Sequence, residues 1–359
     1  MARNITLTLG TPLGGNLGPN FNITANYGVV TPSTATRSEL LVGKIVSVDD
    51  LATSVNVTSV GTCTNTISQN IPCSPLSPIV QAFVTASGIT GSAISYVQTL
   101  YTELTVANLF NKMYAIYPFV GANANSHRYN LVNTGSYTIT FNGPWVHNSD
   151  GITGNGTNTY ADTGLKPNTF NTSQPGGAAF NGDLWYASAS MHIYSRTDGG
   201  SGCDMGCFTF GSAQSVLFAK YNVPNVAVPN TSIYNNSGNG TAIFQPTASG
   251  FFGGSNLNTL VYNNQGGVVT GSPSGSNGIY KNGVKIIGYE QGGVSTTEVS
   301  SVNMYIGANN DGSQFPVGPS LYTNRNYAFA AIGKGLTENE MATYYTIVQN
   351  FQTSLNREV

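Results

Sequence analysis

The chain has 359 residues, of which 8% are charged, and a formal net charge of -2. Its 13 Lys plus Arg form no basic cluster, which argues against nucleic acid, because phosphate binding draws on concentrated positive charge. An aromatic content of 11%, with 20 Tyr and 16 Phe, is too high for a disordered chain, and no stretch approaches the roughly 20 apolar residues of a membrane-spanning helix.

Charged residues fall far below the about 25% of an ordinary soluble domain, and Gly, Asn, Thr and Ser fill the polar positions. That composition favours strands and turns. Residues 1–75 read as a small β-sandwich of short strands at Ile5–Leu9, Phe21–Tyr27, Leu41–Val48, Val55–Val60 and Thr64–Ile71. Within Ser54–Thr58 the period-two alternation places Val55 and Val57 on a buried face. Met1–Leu9 also alternates and lacks the apolar core of a secretory signal, so a cytoplasmic origin without signal peptide is expected.

Residues 76–116 read as a helical linker. Ser77 is a plausible N-cap with Pro78 at the first helical position, and Gly88 stops the run. A second helix over Ser92–Leu104 puts Ile94, Val97, Leu100, Tyr101 and Leu104 on one face, and a third is expected over Val106–Met113. From 117 to 359 strands return, with Asn282-Gly283 marking a tight hairpin between Ile279 and Ile286. Thr337 and Glu340 match a capping box that opens a terminal helix, whose apolar face is Met341, Tyr344, Tyr345, Val348, Phe351 and Leu355.

The ordered stretches Lys112–Gly121, Asn155–Gly164, Tyr305–Ala308 and Tyr327–Leu336 resemble a laminin-G or concanavalin A-like jelly roll. The resemblance is to the version found in structural proteins of tailed bacteriophages, many of them infecting Bacteroidota and including crAss-like phages. It implies a mainly β fold with a C-terminal jelly roll, and a role as a head- or tail-associated fiber or appendage in the virion. Partners would be other virion proteins of the capsid or tail and a host-surface polysaccharide. A homodimer or homotrimer is expected through the N-terminal half, because residues 1–73 contain just Arg3, Arg37 and Lys44 as basic guards for open strand edges. A free carbohydrate-binding lectin is the alternative, and a glycan-degrading enzyme the third reading.

Fold alone does not fix activity, so the side chains must decide. The paired carboxylates of a glucanase on this fold, E-x-D-x-E on one strand, are missing, and Glu290, Glu298, Asp198 and Asp204 read as solvated turn residues. No enzyme chemistry is expected. His127, His147 and His192 are scattered, without zincin spacing or a nucleophile turn, and read as structural or surface. Cys63, Cys73, Cys203 and Cys207 read as reduced thiols rather than disulfides or zinc ligands. No cofactor is expected, with Ca2+ left open through Asp150, Asp162 or Asp204 in the manner of laminin-G modules. Trp145, Trp185, Tyr186 and Tyr322 are the candidates for stacking on sugar rings, each weighed against a place in the core.

Overall fold

The computed structural model describes residues 2–7, 20–25, 28–36, 44–49, 54–60, 66–70, 76–170, 188–208, 215–222, 229–235, 238–239, 243–244, 249–257, 259–262, 268–271, 278–288, 300–312 and 318–359. It divides into two units, Met1–Ser77 and Pro78–Val359. In the first, Ala2–Leu7 pairs antiparallel with Lys44–Asp49. A second sheet runs in the order Thr34–Thr36, Asn20–Ala25, Ser54–Val60, Thr66–Asn70. Leu7, Phe21, Ile23, Val30, Ala35, Val46, Val48, Val55 and Val57 form its core, so the alternation at Val55 and Val57 does mark a buried face. Strand Thr34–Thr36 was too short to carry a periodic signal.

The second unit opens with helix α1, Pro78–Ser87, which ends before Gly88 at φ 69°, and α2, Ser92–Val106. The third helix expected over Val106–Met113 does not form. Asn108 takes φ 56°, Leu109 N–H donates to Leu104 O at 2.8 Å and Asn108 N–H to Thr105 O at 3.0 Å, which closes α2 in a Schellman arrangement. A short 3-10 turn, Phe110–Lys112, leads into strand Met113–Tyr117. A one-turn helix α3 covers Ala124–His127.

Two sheets then face each other. Among the described residues one runs Val284–Gly288, Gly278–Lys281, Gly250–Leu257, Ser188–Ser195, Asn326–Gly333, Gly151–Thr153, Val146–Asn148, and Met113–Tyr117 also pairs with Asn326–Gly333. The other includes Ser215–Asn222, Met205–Phe208, Tyr305–Ile306, Tyr160–Asp162 and Thr140–Asn142 in that order. Ala189, Met191, Ile193, Phe252, Ala330 and Ile332 of the first meet Ala161, Met205, Cys207, Leu217 and Ile306 of the second in one core. This is a mainly β protein of the sandwich, jelly-roll class, as composition and pattern predict. The hairpin turn at Asn282 and Gly283 has φ 49° and 75°, the two positive angles a tight turn of this kind demands.

Helix α4, Glu338–Ser354, seals the outer face of the first sheet. Its capping box forms as predicted, with Glu340 N–H donating to Thr337 Oγ1 at 3.3 Å and Thr337 N–H to Glu340 Oε2 at 3.0 Å. Met341, Tyr344, Ile347, Val348 and Phe351 are buried, each contributing about 1.5 to 3 kcal/mol on removal from water. Their ring partners are His192, Phe251 and Phe329. Gly253 permits the close approach, since a Cβ there would stand 2.9 Å from Met341 Sδ.

Strand Asn326–Gly333 is buried on both faces, which is why it reads as the nearly continuous apolar run Tyr327–Ile332. Its pairing shifts between Tyr194↔Phe329 and Ser195↔Tyr327, so Ala328 is an extra residue in that ladder. The bulge re-aims the strand: Phe329 packs with Tyr344 and Phe351 under α4, while Tyr327 joins the core between the sheets.

Candidate functional site

The bulge delivers Tyr327 to a buried polar network that ties the two sheets together. Asp204, immediately before strand Met205–Phe208, and Arg325, beside the first residue of the central strand, are fully buried and paired at 2.5 Å. Tyr327 Oη donates to the same Asp204 oxygen at 2.7 Å, and Ala219 N–H to the other at 2.6 Å. Arg325 also donates from Nη2 to Gly200 O and from Nε to Asp198 O. Asp204 is therefore not the solvated turn residue its Gly-rich surroundings suggested; it is a saturated internal carboxylate, and burial with Asp204 beside it raises the Tyr327 phenol well above its ordinary range.

The other aspartates have separate partners. Asp150 forms an ion pair with Arg196 at 2.8 Å. Asp162 Oδ1 accepts from Gly164 N–H at 2.8 Å and Oδ2 from Asn303 Nδ2 at 3.1 Å. Among the described residues no three His, Cys, Asp or Glu side chains are grouped as a metal site. Cys203 and Cys207 are buried free thiols, whose ionisation burial pushes upward, to about 12 for Cys207. Cys63, Cys73, Glu290, Glu298, Trp185 and Tyr186 lie outside the described residues.

Trp145 is half-buried at the edge of the core, edge-on to Phe141 with centroids 6.0 Å apart. It covers Gly307, whose φ of 80° and lack of Cβ make room for the ring; a Cβ there would stand 2.7 Å from it. Its indole nitrogen is enclosed without a hydrogen-bond partner. His127 and His147, far apart in sequence, meet with their Nδ1 atoms 3.1 Å apart. Burial first, then His147 and Arg357, lowers His127 to about 3; burial alone lowers His192, under α4, to about 3.

The outer face of the second sheet is built differently. Tyr160–Asp162 pairs antiparallel with Tyr305–Ile306 in the register Ala161↔Ile306 and Asp162↔Tyr305. With Ala161 and Ile306 in the core, the two-residue period turns Tyr160, Asp162 and Tyr305 outward. The neighbouring strand, in the register Tyr160↔Asn142 and Asp162↔Thr140, adds Asn142 and Thr140 to that side. The rings of Tyr160 and Tyr305 stack at 4.6 Å and 28°. Tyr322 Oη donates to Pro319 O at 3.0 Å. Burial pushes Tyr305 up to about 12, helped by Asp162, Tyr160 and Tyr322; burial and then Tyr160 raise Tyr322.

Of the residues expected to bind, Asp162 and Tyr322 thus fall on one half-buried aromatic face, while Trp145 packs at the core edge. Tyr160 and Tyr305, which complete the face, escaped the sequence reading. The alternation Tyr160-Ala161-Asp162 could have revealed one of them, but Tyr305–Ile306 is too short for periodicity. The face offers apolar ring surfaces flanked by amide, hydroxyl and carboxylate groups, the combination that suits the CH faces and hydroxyls of a sugar. No protein-family model matches the chain, and no curated protein matches it. Among solved structures the chain is similar to domain 4 of AbnA, a GH43 extracellular arabinanase from Geobacillus stearothermophilus, in complex with arabinotriose. The likeness has 13% identity and a TM-score of 0.35, and covers 65% of this chain and 98% of that one.

Proposed function

We propose that this chain is a non-enzymatic display protein of a tailed-phage particle, whose second unit holds host-surface polysaccharide against the Tyr160, Tyr305 and Tyr322 face. The observation that carries the binding part is the stacked tyrosine pair turned to the outer face of the second sheet beside Asp162 and Asn142. A glycosidase would need two carboxylates about 5 to 10 Å apart across a sugar bond, and among the described residues of these three strands Asp162 is the carboxylate turned to this face. The particle setting is supported by the jelly-roll resemblance, and residues 1–75 would then supply the anchor and the contacts of a dimer or trimer.

Affinity electrophoresis and a glycan array test the binding part: Tyr305→Ala should abolish retention that the unaltered chain shows. Retention unchanged by that substitution would remove the face from consideration. A mass-spectrometric inventory of purified particles tests the setting, and deletion of residues 1–75 should abolish incorporation while the remainder stays folded. A free lectin is the second reading, favoured by the same face; tight glycan binding without particle association would select it.

A further inference from the structure

We infer that the tyrosine face takes the interior of a neutral polysaccharide chain and turns away uronate, sialylated and sulfated ones, an inference that rests on the glycan-binding reading above. The first ground is charge. Asp162 stands opposite Tyr305 in the strand register, and among the described residues the groups acting on Tyr305 and Tyr322 besides burial are Asp162 and other phenols, with no Lys or Arg. A lysine or arginine against these rings would favour the phenolate and act in the opposite direction. Several described cations are committed elsewhere: Arg325 to Asp204, Arg196 to Asp150, Lys112 to Glu340, and Arg357 to the carbonyls of Pro118, Phe119 and Ala328. Recognition of a sugar carboxylate or sulfate ordinarily uses a guanidinium or ammonium in direct contact, and here the charge that shares the strand pair with the rings, Asp162, is of the same sign as the ligand.

The second ground is shape. Thr140–Asn142, Tyr160–Asp162 and Tyr305–Ile306 lie side by side, at about 5 Å per strand, and the two stacked rings extend across adjacent strands. Because the two rings face each other, one face of each is left for a sugar, and the side-by-side strands give a chain room to run across them with its hydroxyls met by Asp162, Asn142 and Thr140. An anionic sugar seated there would bring its charge close to Asp162, and the repulsion weakens as salt screens it.

The test is an array carrying neutral, uronate, sialylated and sulfated glycans, probed with the full chain, with Asp162→Asn and with Thr140→Lys, at low and high salt. Neutral polymers should be retained. Acidic ones should bind at least tenfold more weakly, gain with salt on the unaltered chain, and gain further on either variant. Thr140 is exposed, so its substitution reads charge without disturbing the core. Retention of acidic polymers by the unaltered chain as strong as that of neutral ones, lost with Tyr305→Ala, would overturn this selectivity while leaving the glycan-binding reading intact. Silence across the whole array would overturn both.

Discussion

The two outer faces of the second unit's sandwich are both rich in aromatic side chains and serve opposite ends. On one, His192, Phe251 and Phe329 are buried beneath α4 and its Tyr344; on the other, Tyr160, Tyr305 and Tyr322 stay half-buried, with no helix among the described residues packed on them. Aromatic content therefore does not separate a covered face from an open one. The neighbours do: His192, Phe251 and Phe329 stand among buried side chains beneath the helix, whereas Tyr160 and Tyr305 stand beside a carboxylate, Asp162, on the open side.

The contrast can be broken at the network beneath both faces. Asp204→Ala leaves Arg325 charged and buried, and should cost about 3 to 5 kcal/mol, measured by urea unfolding. A loss below about 1 kcal/mol would mean that the pair does not couple the sheets. On the covered face, Tyr344→Ala should cost about 3 kcal/mol without changing glycan retention. Tyr344→Phe, which removes a buried hydroxyl that has no hydrogen-bond partner, should cost nothing or stabilise slightly.

Acid should act on the covered side and on the histidine pair. His127 and His192 are held at about 3 when folded against about 6.5 unfolded. Between those values the unfolded chain binds the extra protons, so stability falls as pH drops through the window, by up to about 1.4 kcal/mol per pH unit for each histidine. Urea midpoints at pH 7, 5.5 and 4.5 should show that slope, and His192→Leu should flatten it. Truncation on the open face gives a small stability effect: Tyr305→Ala should shift unfolding by less than about 1 kcal/mol while removing glycan retention. A large destabilisation there would make Tyr305 a core residue and erase the distinction between the faces.

Local signals were legible where one residue type forces one geometry. Asn282-Gly283, the Thr337 and Glu340 capping box, and Pro78 at the first position of α1 all appear in the structure. The fold class followed from low charge and short alternating runs. What the sequence concealed depends on contacts distant along the chain. Asp204 looks like a loop aspartate until Arg325 and Tyr327 meet it, and His127 and His147 look unrelated until α3 and an edge strand converge. The helix expected after Val106 was lost to Asn108, whose tolerance of positive φ ended α2 where hydrophobic spacing alone would have carried it on.

Strand Asn326–Gly333 lies at the middle of its sheet, between Ser188–Ser195 on one side and Met113–Tyr117 with Gly151–Thr153 on the other. Those neighbours leave the ribosome much earlier than the strand that joins them. Until it arrives they present unsatisfied edges and an exposed apolar surface to every other nascent copy, so folding of this unit is a race between closure and aggregation. Slow synthesis or high expression should tilt that race toward insoluble protein, and a chaperone that shelters strand edges should restore the yield.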